Sequence, residues 1–487
     1  MKERLFTLLM TMNLVIPVWG QWSTTTPTSV CTAANTQSNP VTISDGQGGI
    51  VMAWSDLRND NVSPFGNDIY IQRLDANGVA QWTSNGVAVT TGNFNDELYP
   101  QLTLCYTSSG QARAMVTWLA LEYPDQVSGS NVVSKIYTQA YDLNGVAQYA
   151  SPTLVGNAGV FNAVYPSVIA TADGRRLIVG YLTNGVREVR VQGIEPNDGS
   201  TQFGINGTLL ANWSYSGIYK QLVVSLAEEN NQVNIFWNNF EGVGATNILA
   251  QRINVQTRAK VWANNLVICN NIGDQYVGEA VGNTLVWEDT RNRAGNNNDD
   301  IFAQRVNANG TVAWAANGIR IYEDPSTGAQ RRPRVAATEG GVFVTWNENT
   351  SGTTSPARLV VQKVLHDGSF PWGNTGITYQ TFTISGTVGT LETSIASQSD
   401  GGAVFIYFGS NQGYLKAQRI TANGRRLWRE NGEPVAGTAY NMFSNEFTNI
   451  APMATGGGLA GFTYNGNIYA AKAGFCLSPP APQLLLQ

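Results

Sequence analysis

Short apolar runs, most of them ending in an aromatic, alternate along this chain with polar segments rich in Gly, Asn and Asp. Residues 46–89 read GQGGIVMAWSDLRND, then DIYIQRLDANGVAQW, then TSNGVAV. Residues 282–321 repeat the pattern as GNTLVWEDTRNR, DIFAQRVNANGTVAW and AANGIRI. Apolar runs this short, bounded by turn residues, predict strands and not helices. The unit is an apolar strand ending in an aromatic, a polar loop, a strand carrying Gln, an Asn-Gly-type turn and a strand reaching a second aromatic.

The first aromatic recurs as Trp54, Trp118, Tyr181, Trp237, Trp287, Trp346, Tyr407 and then Phe462 or Tyr464. The glutamine recurs as Gln72, Gln139, Gln192, Gln251, Gln304, Gln362 and Gln418, with Ala471 in the eighth repeat. The turn recurs as Asn77-Gly78, Asn144-Gly145, Asn309-Gly310, Asp367-Gly368 and Asn423-Gly424, a pairing that favours type I′ hairpins. The second aromatic is Trp82, Tyr149, Phe203, Trp262, Trp314, Trp372 and Trp428. One more strand precedes each unit, as at Pro100–Cys105, Pro166–Thr171 and Pro333–Thr338, which makes four strands per repeat.

Successive glutamines stand 53 to 67 residues apart. Four-stranded units of that length fit the blades of a β-propeller. The expected fold is therefore all-β: a propeller of eight four-stranded blades, with seven as the alternative. The last repeat lacks its outermost strand, and Gln21-Trp22 matches Gln81-Trp82. Residues 21–31 are expected to pair with that last blade and close the ring, removing free edges.

Composition sharpens this picture. A length of 487 residues alone suggests about three domains. Only 13% of residues are charged while Gly numbers 51, as expected of one large ring whose blades are buried on both faces. A net charge of −5 disfavours nucleic acid, and a single histidine, His366, excludes sites needing several imidazoles. Lys2 and Arg4 before an apolar run, Leu5–Val18, predict a signal peptide over 1–20 and an exported chain without a membrane span. The propeller then occupies 21–476, followed by a Pro-rich tail at 477–487. Cys31, Cys105, Cys269 and Cys476 are read either as buried thiols or as two disulfides of open connectivity; a Cys31–Cys476 bridge would tie the ends together.

Candidate chemistry is sparse. A residue needed at the same place in seven blades is a building element, so the recurrent Trp and Gln are read as structure, each glutamine bonding the backbone of an adjacent blade. Asp56, Arg58, Asp289 and Arg291 follow the aromatic in repeats one and five and are candidate binding loops. The simpler expectation pairs Arg58 with Asp68 and Arg291 with Asp300. The run Asn296–Asp300 offers oxygen ligands for calcium without the spacing of a calcium loop, so no cofactor is expected. Glu122, Glu228, Glu229, Glu241, Glu288 and Glu348 are carboxylates that a glycoside-cleaving pair could draw on. Tyr123, Phe65 and Tyr440 are aromatics suited to a glycan.

The pattern aromatic-x-Asp-x-Arg, Asp-Ile-Tyr/Phe-x-Gln-Arg, Asn-Gly-x-x-x-Trp resembles a repeat of exported β-propeller proteins of the Bacteroidota. That resemblance implies a periplasmic, outer-membrane-associated or extracellular chain, and an accessory subunit of the type IX secretion translocon as one role. Leu74–Trp82 is also similar to the tryptophan-docking segments of eight-bladed quinoprotein dehydrogenases and of a propeller scaffold in outer-membrane protein assembly. The expected function is a non-catalytic scaffold that engages a protein partner. The alternative is a carbohydrate-binding protein or glycoside hydrolase.

Overall fold

The computed structural model describes residues 22–474 apart from 24–25, 60–65, 92–94, 124–131, 161–165, 184–187, 213–221, 241–244, 293–298, 323–327, 351–355, 384–392, 409–414, 436–448 and 455. Among the described residues every regular element is a strand. The strands form six sheets of four and one of eight, the latter being two four-stranded runs joined through a short parallel pairing of Ala245 and Thr246 with Gly273 and Asp274. Neighbouring strands within each run pair antiparallel, and in every run but the last they follow chain order. The first unit comprises Gln37–Ser44, Ile50–Asp56, Asp68–Leu74 and Val87–Ala88. The last comprises Ile450–Pro452, Gly458–Tyr464 and Asn467–Ala473, and its outer strand is Thr28–Cys31 from the other end of the chain.

Hydrophobic cores lie between sheets and not inside any one of them. Val41, Val51 and Ile69 of the first sheet meet Leu102, Val116 and Trp118 of the second. Ile50, Met52 and Trp54 on the other face meet Leu459, Ile468 and Ala470. Both faces of one strand are thus covered, which is why Ile50–Asp56 is buried throughout and reads as an unbroken apolar run.

Polar side chains clip the first strand of one unit to the first strand of another. Asn449 Oδ1 accepts Thr42 N at 2.9 Å, Ser167 Oγ accepts Val224 N at 3.0 Å, and Ser394 Oγ accepts Ile450 N at 3.0 Å. Glu279 Oε2 accepts Val335 N at 2.7 Å in the same way. These bonds satisfy N–H groups that no strand partner reaches, and they align successive sheets edge to edge.

The glutamines act differently from expectation. Gln304 Nε2 donates to Ala315 O at 2.8 Å, and its Oε1 accepts both Arg305 N and Trp314 N at 3.0 Å. Gln72, Gln139, Gln192, Gln251 and Gln418 make the same three kinds of bond, and Gln362 makes two of them. All these partners belong to the glutamine's own repeat. The amide therefore clamps its own strand to the loop that carries the next aromatic. Gln304→Ala would leave the part-buried Ala315 carbonyl and the Arg305 and Trp314 N–H groups without these partners, so a loss of about 1–3 kcal/mol is expected in urea unfolding. An unchanged midpoint would remove the clamp.

That aromatic docks on the following repeat. Trp82 Nε1 donates to Leu143 O at 3.0 Å, and a Cβ on Gly145 would sit 2.8 Å from the indole. Trp262 and Trp314 repeat the arrangement on Ala308 and His366 carbonyls, and Trp22 on Ala76. The turn beneath is not type I′. Only its glycine has positive φ, +80° at Gly78, while Asp75 Oδ1 accepts Asn77 N and Val79 N at 2.9 Å. A local carboxylate cap therefore replaces the expected turn chemistry.

Candidate functional site

The recurrent tryptophans are core. Trp54, Trp118, Trp237, Trp287 and Trp346 have relative exposures of 2% or less. Trp428 is half-buried and covers Gly474.

The loops after Trp54 and Trp287 form twin latches. Asp56 Oδ2 accepts Trp54 Nε1 at 2.8 Å and Arg58 Nη2 at 2.6 Å; Asp289 Oδ2 accepts Trp287 Nε1 at 2.9 Å and Arg291 Nη2 at 2.5 Å. Arg58 Nη2 also reaches Cys31 Sγ at 3.0 Å and Asn85 O at 2.8 Å, as Arg291 Nη2 reaches Cys269 Sγ at 3.1 Å and Asn317 O at 2.9 Å. Each guanidinium lies over a ring, Tyr70 at 3.6 Å and Phe302 at 3.8 Å. The expected pairing with Asp68 and Asp300 is corrected: both arginines bind the aspartate two residues back, while Asn59 and Asn292 bond Asp68 and Asp300. With both aspartates and the Nε and Nη2 groups of both arginines engaged inward, the latches bind parts of this chain to one another. Cys31 and Cys269 are free thiols pushed up to about 11 by burial, and Cys105 is free as well. Cys476 lies outside the described residues, as do residues 1–20 expected to be a signal peptide, Phe65, Glu241, Asn296–Asn298 and Tyr440.

The remaining acids divide into tethered and enclosed groups. Glu122 pairs with Lys135 at 2.5 Å, Glu229 with Arg252 at 2.5 Å, and Glu228 with Arg305. Glu348 is buried between Tyr322 and Arg358. Tyr123 donates to Asp96 Oδ2 at 3.1 Å. No group of three or more His, Cys, Asp or Glu among the described residues is arranged to hold a metal. His366 is exposed in its turn.

Glu288 is the exception, because it opens on a cleft. Tyr276, Val277 and Gly278 from the strand Gly273–Val281, Glu288 from Thr284–Asp289, and Arg332, Pro333 and Arg334 from Gly328–Thr338 line a cavity of about 410 Å³. A bulge builds it. The register slips between Arg331 and Arg334, and Arg332 takes φ +56° ahead of a proline, a conformation that costs of order 1–3 kcal/mol. Glu288 Oε1 holds that backbone by accepting Arg332 N at 2.5 Å. Asn39 and Tyr99 adopt the same left-handed geometry before prolines in the first and second units.

Electrostatics favours an anion there. Arg334 Nε donates to Thr393 O at 3.3 Å, and its two Nη groups have no hydrogen-bond partner among the described residues. Arg331 beside it is already taken by Asp299 at 2.9 Å. Burial raises the Glu288 carboxyl above its ordinary range, against the lowering effects of the Arg332 N–H, Arg331 and Arg332. Sequence reading singled out Glu288 only as one acid among six and missed Tyr276, Arg332 and Arg334. The signal was present: Arg331-Arg332-Pro333-Arg334 concentrates three arginines in a chain poor in charge.

No family model and no curated protein matches this chain. Among solved structures, it is similar to prolyl oligopeptidase B from Galerina marginata at 9% identity and TM-score 0.45, over 81% of this chain and 49% of that one. A prolyl endopeptidase aligns at 11% identity and TM-score 0.44, over 92% of this chain and 56% of that one. Hydrazine synthase of Kuenenia stuttgartiensis aligns at 11% identity and TM-score 0.37, over 91% of this chain and 97% of that one. The chain spans about half the length of the oligopeptidases, 49% and 56% in these two cases. Against the expectation of a non-catalytic scaffold that is no enzyme, the similar structures named here are peptidases and a synthase. The glycoside hydrolase alternative has no counterpart among them. No helix among the described residues is long and apolar enough to cross a membrane.

Proposed function

We propose that this chain is a peptide-handling β-propeller whose cleft between the fifth and sixth repeats receives a peptide by its carboxylate. The observation that carries the reading is Arg334, whose two Nη groups have no hydrogen-bond partner among the described residues, beside Arg332 in a cavity of about 410 Å³. A guanidinium matches a carboxylate in shape and donates two parallel bonds to it. The volume lies within the range of small-ligand sites, so it admits a peptide end and excludes a folded domain.

The architecture we propose around the cleft is a closed ring of eight blades. It is supported by the pairing of Thr28–Cys31 with Ile468–Ala470, by the Asn449–Thr42 clip, and by Trp22 standing over Gly78 as Trp82 stands over Gly145. The repeat's likeness to exported Bacteroidota propellers and the apolar run at Leu5–Val18 support peptide handling outside the cytoplasm.

Calorimetric titration with N-acetyl-tri-alanine and with its C-terminal amide tests the reading. The free acid is expected to bind, the amide about tenfold more weakly or not at all, and Arg334→Ala is expected to lose the difference. Equal binding of acid and amide, or full binding by R334A, would refute it.

A further inference from the structure

The cleft carries both signs of charge. Arg332 and Arg334 bracket Pro333 on one strand, and two glutamates from the neighbouring sheet hold that same strand by its backbone. Glu288 accepts Arg332 N at 2.5 Å and Glu279 accepts Val335 N at 2.7 Å, one on either side of Arg334. A carboxylate entering between the arginines therefore meets Glu288 in the lining, with Glu279 bonded to the same strand one residue past Arg334.

We infer that Glu279 and Glu288 form a proton-operated counter-charge to Arg332 and Arg334, so that the cleft takes a peptide carboxylate more tightly as the medium acidifies. This rests on the reading of the cleft as a carboxylate site. Each glutamate needs only one oxygen to accept its backbone N–H. The other oxygen can take a proton from solvent with no bond in the framework broken, and the proton cancels one negative charge beside the incoming ligand. Groups facing the pair are few. Asp299, Arg331 and Arg332 act on Glu288, and Arg334 acts on Glu279. Tyr276, which donates to Asp274 at 3.3 Å, lines the remaining wall. Asp299 is held by Arg331, so those two charges largely cancel. Burial disfavours ionisation of both glutamates, most directly of Glu279, against the opposing pull of Arg334.

The glutamine variants separate the possibilities, because an amide oxygen still accepts the backbone N–H. Binding of N-acetyl-tri-alanine is measured between pH 5 and 8 for wild type, Glu288→Gln and Glu279→Gln/Glu288→Gln. Wild type is expected to bind about tenfold more tightly at the acid end, as follows from removing a charge a few ångströms away. The double variant is expected to bind at pH 8 as wild type does at pH 5, with a flat profile. A double variant that keeps the wild-type pH dependence would overturn the inference. Wild-type binding that is strong but independent of pH would overturn it while leaving the carboxylate site standing. Absence of binding at every pH would remove the site itself.

Discussion

Replacing Asp289 with alanine is expected to cost about 3–5 kcal/mol of folding stability, the range for removing one partner of a buried ion pair. Asp289 is fully buried and accepts from the Trp287 indole, the Arg291 backbone N–H and the Arg291 guanidinium. Alanine would strand that guanidinium, only 11% exposed, against Phe302 and Cys269. Asp289→Asn retains acceptors and size and should cost less than half as much. Asp56→Ala should match D289A, because the two latches agree bond for bond. Changing Asp289 and Arg291 together to Leu and Met should recover much of the loss, since no charge is then left unpaired. Chemical unfolding of the four variants reads these differences. A D289A midpoint within about 1 kcal/mol of wild type would show the latch to be a bystander.

The second large effect is expected at Glu97, and it depends on pH. Glu97 is 4% exposed, and burial, reinforced by Asp68, Asp96 and Glu122, pushes its carboxyl up to about 8 from the ordinary 4.5. The folded state therefore holds a proton that the unfolded chain releases. Stability from this group is fully present below pH 4.5 and is lost as pH rises through about 8. Glu97→Gln removes the titration. At pH 9 the variant should be more stable than wild type by on the order of 3–5 kcal/mol, and at pH 4 the two should coincide. The fold supports the choice of glutamine. Gln37, Gln275 and Gln330 stand at the matching register, each opposite the residue two beyond the tryptophan, as Glu97 stands opposite Ala120. Thermal melts across that range decide it. A constant difference between E97Q and wild type at all pH values would mean Glu97 is ionised throughout.

Much of the fold was legible because it repeats. One strand buried on both faces reads as IVMAW or TLVWE, and seven copies of one amide at one offset leave little freedom in the register. The partners of those amides were not legible. A glutamine in a strand can reach backward across its own loop or sideways to another sheet, and only the path of the loop separates the two. Arg58 shows the same limit. Asp56 stands two residues before Arg58 and Asp68 ten after it, and the path of the loop turns the guanidinium back over Tyr70 onto Asp56.

The sequence by itself determined the class of structure, the four-stranded repeat and the aromatic cores. These follow from periodicity and composition, which act locally and add up along the chain. The tertiary structure alone decided the cleft. Its residues come from two repeats, with Tyr276 and Glu288 some fifty residues from Arg332 and Arg334, and it exists because one strand bulges at a left-handed residue before a proline. A bulge shifts register without changing hydrophobic pattern. That is why the pattern was readable in the sequence and the site built on its interruption was not.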